Sequence, residues 1–143
     1  TLTQTGPIWV TGNVSLNNNA IIKASASLGN ASVVLIADGT IDLSNNVTVT
    51  GNGNSGSFVL LLSTNNSSNA IDISNNVIGG MYYTSAGSID VSNNASTTQL
   101  TGYAIHLNSN AIVNYVSGLQ NLTFSSGPGG SWKFVSGTYV IGE

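Results

Sequence analysis

One heptapeptide occurs five times in this chain, and it restricts the fold more than any other feature. The copies are Val14-Ser-Leu-Asn-Asn-Asn-Ala20, Ile41-Asp-Leu-Ser-Asn-Asn-Val47, Ile71-Asp-Ile-Ser-Asn-Asn-Val77, Ile89-Asp-Val-Ser-Asn-Asn-Ala95 and Ile105-His-Leu-Asn-Ser-Asn-Ala111. The shared pattern is aliphatic, any residue, aliphatic, small polar, polar, Asn, small aliphatic. Start-to-start separations are 27, 30, 18 and 16 residues. Repeats of this size mark a solenoid, in which no unit can bury its apolar side alone and neighbours share one core. A helical apolar period is missing, and Asn, Ser, Thr and Gly are poor helix-interior residues. Short β-rich bursts punctuated by Asn and Gly instead read as strands and tight turns.

The flanks of each copy repeat as well. An apolar strand precedes it (Ile8–Val10, Val33–Ala37, Phe58–Leu62, Met81–Tyr83, Tyr103–Ala104), and a short stretch follows (Ile21–Ser25, Thr48–Thr50, Ile78–Gly80, Ser96–Gln99, Ile112–Tyr115). Each unit is then three short strands, with Ala26–Asn30, Gly51–Gly56 and Thr64–Asn69 as loop insertions. The predicted fold is all-β: a short, right-handed, three-faced parallel β-helix of about four to five coils. It forms a single domain over 1–143, with coils at 7–116 and a capping β-hairpin at 117–143. In that cap Leu119–Ser126 is a strand, Gly127–Gly130 a turn, and Trp132–Val135 with Thr138–Ile141 a hairpin. An open solenoid end leaves backbone and core uncovered, which is the reason to expect a cap there.

Within the heptapeptide the first and third residues point inward, so Leu16, Leu43, Ile73, Val91 and Leu107 form an aliphatic stack. The sixth is always Asn (Asn19, Asn46, Asn76, Asn94, Asn110), where the chain turns a corner. Asn tolerates left-handed backbone, and its amide can bond to equivalents above and below. An asparagine ladder with a structural role is therefore expected at these five positions. The second residue points outward, which places Asp42, Asp72 and Asp90 in one vertical column between Ser15 and His106. Carboxylates at strand spacing repel, so each favours a proton, a hydroxyl partner or a cation. Their main reading is solubilising charge, with a cation-binding column as the weaker alternative. Paired acids can also hydrolyse glycosides, which makes catalysis the remotest of the three.

Composition removes most other chemistry. The net charge is −3 with no arginine, so a phosphate-neutralising surface and a nucleic-acid partner are not expected. Cysteine is absent, which removes disulfides and thiolate chemistry. His106 is the only histidine, so neither a histidine triad nor a His-based metal site can be assembled. A polysaccharide lyase needs a strong base in a charged groove, and only Lys23 and Lys133 are present, far apart in sequence. No catalytic residue, cofactor or metal is expected. The longest aliphatic and aromatic run, Phe58–Leu62, is too short to span a membrane, and a first residue of Thr1 reads as a processed or excised chain.

Several stretches together resemble the C-terminal domain of prepilin-like, type IV pilus-associated bacterial surface proteins. They are Gly6-Pro-Ile-Trp-Val-Thr-Gly-Asn-Val-Ser-Leu16, the Ser-Asn-Asn corners, Gly102-Tyr-Ala-Ile-His-Leu107, Ala111-Ile-Val-Asn-Tyr115 and Ser126-Gly-Pro-Gly-Gly-Ser-Trp132. The resemblance covers nearly the whole chain, although Ser136–Glu143 departs from the family ending. It implies a non-enzymatic domain displayed outside the cell, structural or adhesive, with cell-surface or filament components as partners. Two alternatives stand beside it. One is a β-helix that binds or cleaves glycans, for which exposed aromatics beside Asp72 and Asp90 would speak. The other is a self-assembling filament subunit, a homo-oligomer joined through Thr1–Gly6 or an open coil end.

Overall fold

Successive residues of a strand point to opposite faces, so an aliphatic–any–aliphatic triplet sends two side chains one way and one the other. The computed structural model of the protein describes residues 1–116, 119, 122–124 and 132–133, and every heptapeptide copy in it opens with such a strand. A leading strand, β1 (Leu2–Gln4), is followed by five coils of three strands each. The first coil holds β2 (Ile8–Val10), β3 (Val14–Leu16) and β4 (Ile21–Ala24), and the second β5 (Val33–Ala37), β6 (Ile41–Leu43) and β7 (Thr48–Thr50). The third holds β8 (Val59–Ser63), β9 (Ile71–Ile73) and β10 (Ile78–Gly79). The fourth holds β11 (Met81–Thr84), β12 (Ser88–Val91) and β13 (Ser96–Thr97), and the fifth β14 (Gln99–Thr101), β15 (Ala104–Leu107) and β16 (Ile112–Val113).

Equivalent strands of successive coils pair side by side into three parallel sheets. The first face runs β2-β5-β8-β11-β14, the second β3-β6-β9-β12-β15, and the third β1-β4-β7-β10-β13-β16. The chain is a three-faced parallel β-helix, as its repeat predicts. Coil-to-coil registration stacks like on like: Ile41 pairs with Ile71 and Ile71 with Ile89, while Leu43 pairs with Ile73 and Ile73 with Val91. These side chains, with Ile22, Val33, Leu61, Val47 and Val77, are sealed from solvent and form one core along the axis. Burying each large aliphatic side chain contributes about 1.5–3 kcal/mol, which is where most of the stability resides.

One aromatic enters this aliphatic interior. Tyr82 is fully buried, and its hydroxyl donates to the Gly79 carbonyl at 3.1 Å. Room for the ring comes from Gly80, where an added Cβ would lie 2.7 Å from the Tyr82 oxygen. Burial pushes the Tyr82 phenol far above its usual range, so it stays neutral.

The structure changes the unit boundaries in two places. Thr1–Gly6 is engaged within its own chain, because Leu2, Thr3 and Gln4 pair with Ile22, Lys23 and Ala24, and the buried Gln4 side chain turns over the core. The first strand of the last coil is Gln99–Thr101 rather than Tyr103–Ala104, since Gln99, Leu100 and Thr101 take the register of Met81, Tyr82 and Tyr83. Tyr103 then falls at a corner and is solvent-exposed, while Ala104 opens the second-face strand. The expected C-terminal cap falls only partly within the described residues. Its described strands, β17 (Thr123–Phe124) and β18 (Trp132–Lys133), pair antiparallel, and Phe124 bridges to Ser32 just before β5 in the second coil. The Ser32 amide donates to the Thr123 carbonyl at 2.7 Å. The turn at Gly127–Gly130 and the strand at Thr138–Ile141 lie outside the described residues.

Candidate functional site

Two outer features of the second face and its corner concentrate the polar chemistry of this chain. The first is the corner spine between the second and third faces. The fifth and sixth residues of every heptapeptide are both left-handed, with φ of 53° and 62° at Asn18 and Asn19, and 58° and 64° at Asn45 and Asn46. The same holds at Asn75–Asn76, Asn93–Asn94 and Ser109–Asn110. Two consecutive left-handed residues turn the chain sharply, and Asn is the side chain that bears this conformation best after Gly. The sixth-position requirement was legible in the repeat. The fifth-position one was missed there, although Asn fills that position in four of the five copies.

The amides of these corners link the coils directionally. Asn46 Nδ2 donates to Asn19 Oδ1 at 3.3 Å, Asn76 to Asn46 at 3.2 Å, and Asn110 to Asn94 at 3.2 Å. A second ladder runs through the fifth position, from Asn75 to Asn45 at 3.3 Å and from Asn93 to Asn75 at 3.1 Å. Every side-chain bond donates toward the N-terminal end. Backbone bonds run the opposite way: the Asn19, Asn46, Asn76 and Asn94 amides donate to the carbonyls of Asn45, Asn75, Asn93 and Ser109 in the following coil.

The second feature is the acidic column. Strand registration sets Ser15 beside Asp42, Asp42 beside Asp72, Asp72 beside Asp90, and Asp90 beside His106. Adjacent members are one strand apart, about 4.8 Å along the axis. Asp72, at the centre, has its carboxyl pushed above the usual carboxylate range, first by partial burial and then by the charges of Asp42 and Asp90. Hydrogen bonds from the Ser74 and Asn69 side chains pull it part of the way back. Asp90 instead meets His106, whose Nδ1 lies 2.9 Å from Asp90 Oδ1. A straight column lets each carboxylate touch its neighbours but does not converge them on one point. Among the described residues no three acidic or histidine side chains gather around a common metal position.

The aromatic residues divide between core and surface. Trp9 and Tyr83 point outward from the first face, in one register column with Ile36 and Leu62 between them. The Trp9 indole donates to Asp38 Oδ1 at 2.9 Å, which fixes a ring that is 68% exposed. These rings and the acidic column occupy different faces, so the structure does not bring them into one groove. Tyr103 and Tyr115 are exposed on the last coil.

No helix among the described residues is long and apolar enough to cross a membrane. No family model, curated protein or solved structure matches the chain.

Proposed function

We propose that this chain is a non-enzymatic structural or adhesive domain displayed outside the cell, carried by a pilus-associated surface protein. The observation that supports this reading is the corner spine. Ten left-handed residues, five side-chain amide bonds between corners of successive coils and three parallel sheets invest the repeat in a stiff rod with long, regular flanks. Such a rod holds whatever it displays at a fixed distance and repeats its outer side chains every coil, which suits many weak contacts better than one deep site. The resemblance to prepilin-like surface domains supports the location. Antibodies against the purified domain, applied to intact cells before and after surface proteolysis, test it. The expected result is labelling that protease removes, and reduced attachment of cells lacking the gene. Labelling only after lysis, with normal attachment, refutes it.

A glycan-binding reading is favoured by one specific feature, the column of Trp9, Ile36, Leu62 and Tyr83 on the first face. Flat rings with apolar side chains between them offer a stacking surface for sugar rings. Soluble oligosaccharides that bind the domain and lose binding in Trp9→Ala support this reading. No binding across neutral and acidic glycans removes it.

A further inference from the structure

The outer side of the first face is banded along the axis. Alternation within each strand turns Trp9, Ile36, Leu62 and Tyr83 outward in one register column. The same alternation turns outward the residue two places further on, which is Thr11, Asp38, Thr64 or Ser85. Each of these four directly follows its strand, and each is exposed. The sheet ladder runs on into them, since the Asp38 amide donates to the Val10 carbonyl and the Thr64 amide to the Ala37 carbonyl, both at 3.0 Å. An apolar and aromatic column therefore runs beside a hydroxyl and carboxyl column, about 7 Å away along the strands. The Trp9 indole, bonded to Asp38 Oδ1, ties the two together and sets a carboxylate at the edge of the ring. The described C-terminal strands meet this face at Ser32, at the opposite end of β5 from Asp38.

We propose that this face binds a neutral, extended glycan of the flat β-1,4-linked type, laid along the solenoid axis across the strands; this rests on the glycan-binding reading of the first face and names its ligand. In such a chain the pyranose rings present C–H groups on their faces and hydroxyls along their edges. The ring faces suit the column from Trp9 to Tyr83, where aromatic and aliphatic side chains offer apolar contact. The edges suit Thr11, Asp38, Thr64 and Ser85, which supply hydrogen-bond donors and acceptors.

Geometry and charge select the class. Both columns repeat at every coil, and a sugar in a flat ribbon advances by close to one coil step. Trp9 and Tyr83 lie three steps of about 4.8 Å apart, so about four sugars reach from one ring to the other. An α-1,4-linked chain curls and departs from a straight column. Asp38 is the one charged side chain among the first-face strands and the residues that directly follow them. With a net charge of −3 on the whole chain, an acidic glycan is repelled where a neutral one is admitted.

Calorimetric titration of the full chain with β-1,4-linked glucose oligomers, from dimer to hexamer, tests this. α-1,4-linked glucose oligomers of the same lengths and β-1,4-linked glucuronic acid oligomers are the comparison probes. Affinity in the neutral β-linked series should rise by at least about tenfold from dimer to tetramer and then level off. Trp9→Ala, with unchanged circular dichroism, should weaken the tetramer by more than about tenfold, and in Tyr83→Ala the tetramer should fall to near the dimer's affinity. Ile78→Ala, on the third face, should leave binding as it is. Asp38→Asn keeps an acceptor for the Trp9 indole and should raise binding of the acidic series severalfold. In a Trp132→Phe background acrylamide should quench Trp9 in the free chain, and bound tetramer should protect it. Binding that depends on Trp9 but does not grow with length, or that favours the α-linked or acidic probe, overturns the β-linked ligand and leaves the glycan reading standing. No binding by any probe, binding untouched by Trp9→Ala, or a Trp9 shielded from acrylamide in the free chain overturns both.

Discussion

Asn46 isolates what the corner spine contributes. Its φ is 64°, its Nδ2 donates to Asn19 Oδ1, and its Oδ1 accepts from Asn76 Nδ2. Replacement by Ala imposes left-handed backbone on a residue with a Cβ and no local compensation, which costs about 1 kcal/mol beyond what Asn experiences. It also removes two hydrogen bonds. Both are exposed, so each contributes about 0.5 kcal/mol, the low end for neutral pairs. The expected cost is therefore about 2 kcal/mol. Asn46→Gly relaxes the backbone and loses only the ladder, but it adds freedom to the unfolded chain, so about 1–1.5 kcal/mol is expected. Asn46 and Asn76 share one bond, and the double Ala variant should cost about 0.5 kcal/mol less than the two singles summed. Urea unfolding at constant m-value measures all four species. If Ala and Gly cost the same, left-handed backbone is not what the position selects. If the double variant is strictly additive, the ladder carries no energy.

Leu43→Ala empties a fully buried position in the middle of a column and should cost about 2–5 kcal/mol in the same assay; a loss below 1 would mean the column is loosely packed. Gly80→Ala forces a Cβ against the Tyr82 hydroxyl at φ 81° and should cost about 2–4 kcal/mol, and pairing it with Tyr82→Leu should recover part of that by removing the contact. Gln4 Oε1 is buried and accepts no hydrogen bond among the described residues, so Gln4→Leu should stabilise the fold, by about 1 kcal/mol on thermal or urea unfolding. Asp72 holds its proton more tightly folded than unfolded, so its contribution is full below the unfolded value of 3.8 and is lost as pH rises through its raised folded value. Asp72→Asn should therefore match the parent at acidic pH and exceed it in stability at neutral pH; equal stability at both would refute the raised pKa.

The architecture was legible because a solenoid repeats its reasons. Aliphatics at the first, third and seventh positions had to face one way in every copy, and Ile41, Leu43 and Val47 do so with their equivalents. The acidic column followed from the same register, since Asp42, Asp72 and Asp90 share the second position. What escaped the pattern was whatever happens once. Gln99-Leu-Thr101 has one strong apolar residue and no sequence likeness to Met81–Tyr83, so only backbone pairing identifies it as the opening strand of the last coil. The placement of Thr123–Phe124 against Ser32 depends on a contact between residues about ninety positions apart, which no local signal carries. Trp9 and Tyr83 were visible as aromatics, but their common column requires knowing which strands are neighbours.

The scarcity of charge, 5% of the chain, follows from stacking itself. In a globular surface one charged residue meets a random set of neighbours. In an in-register solenoid a charge at a repeat position meets itself about 4.8 Å away in the coil above and again below. Asp72 is flanked by like charge on both sides, and its carboxyl is displaced upward by partial burial and then by those neighbours. The column ends where that pressure is relieved, at Ser15 on one side and at His106, bonded to Asp90, on the other. Asn has the opposite property. Its amide is donor and acceptor at once, so an identical residue above and below is a partner instead of a cost. Repetition thus filters the alphabet: residues that pair with themselves accumulate along the axis, and those that repel themselves are held to short runs.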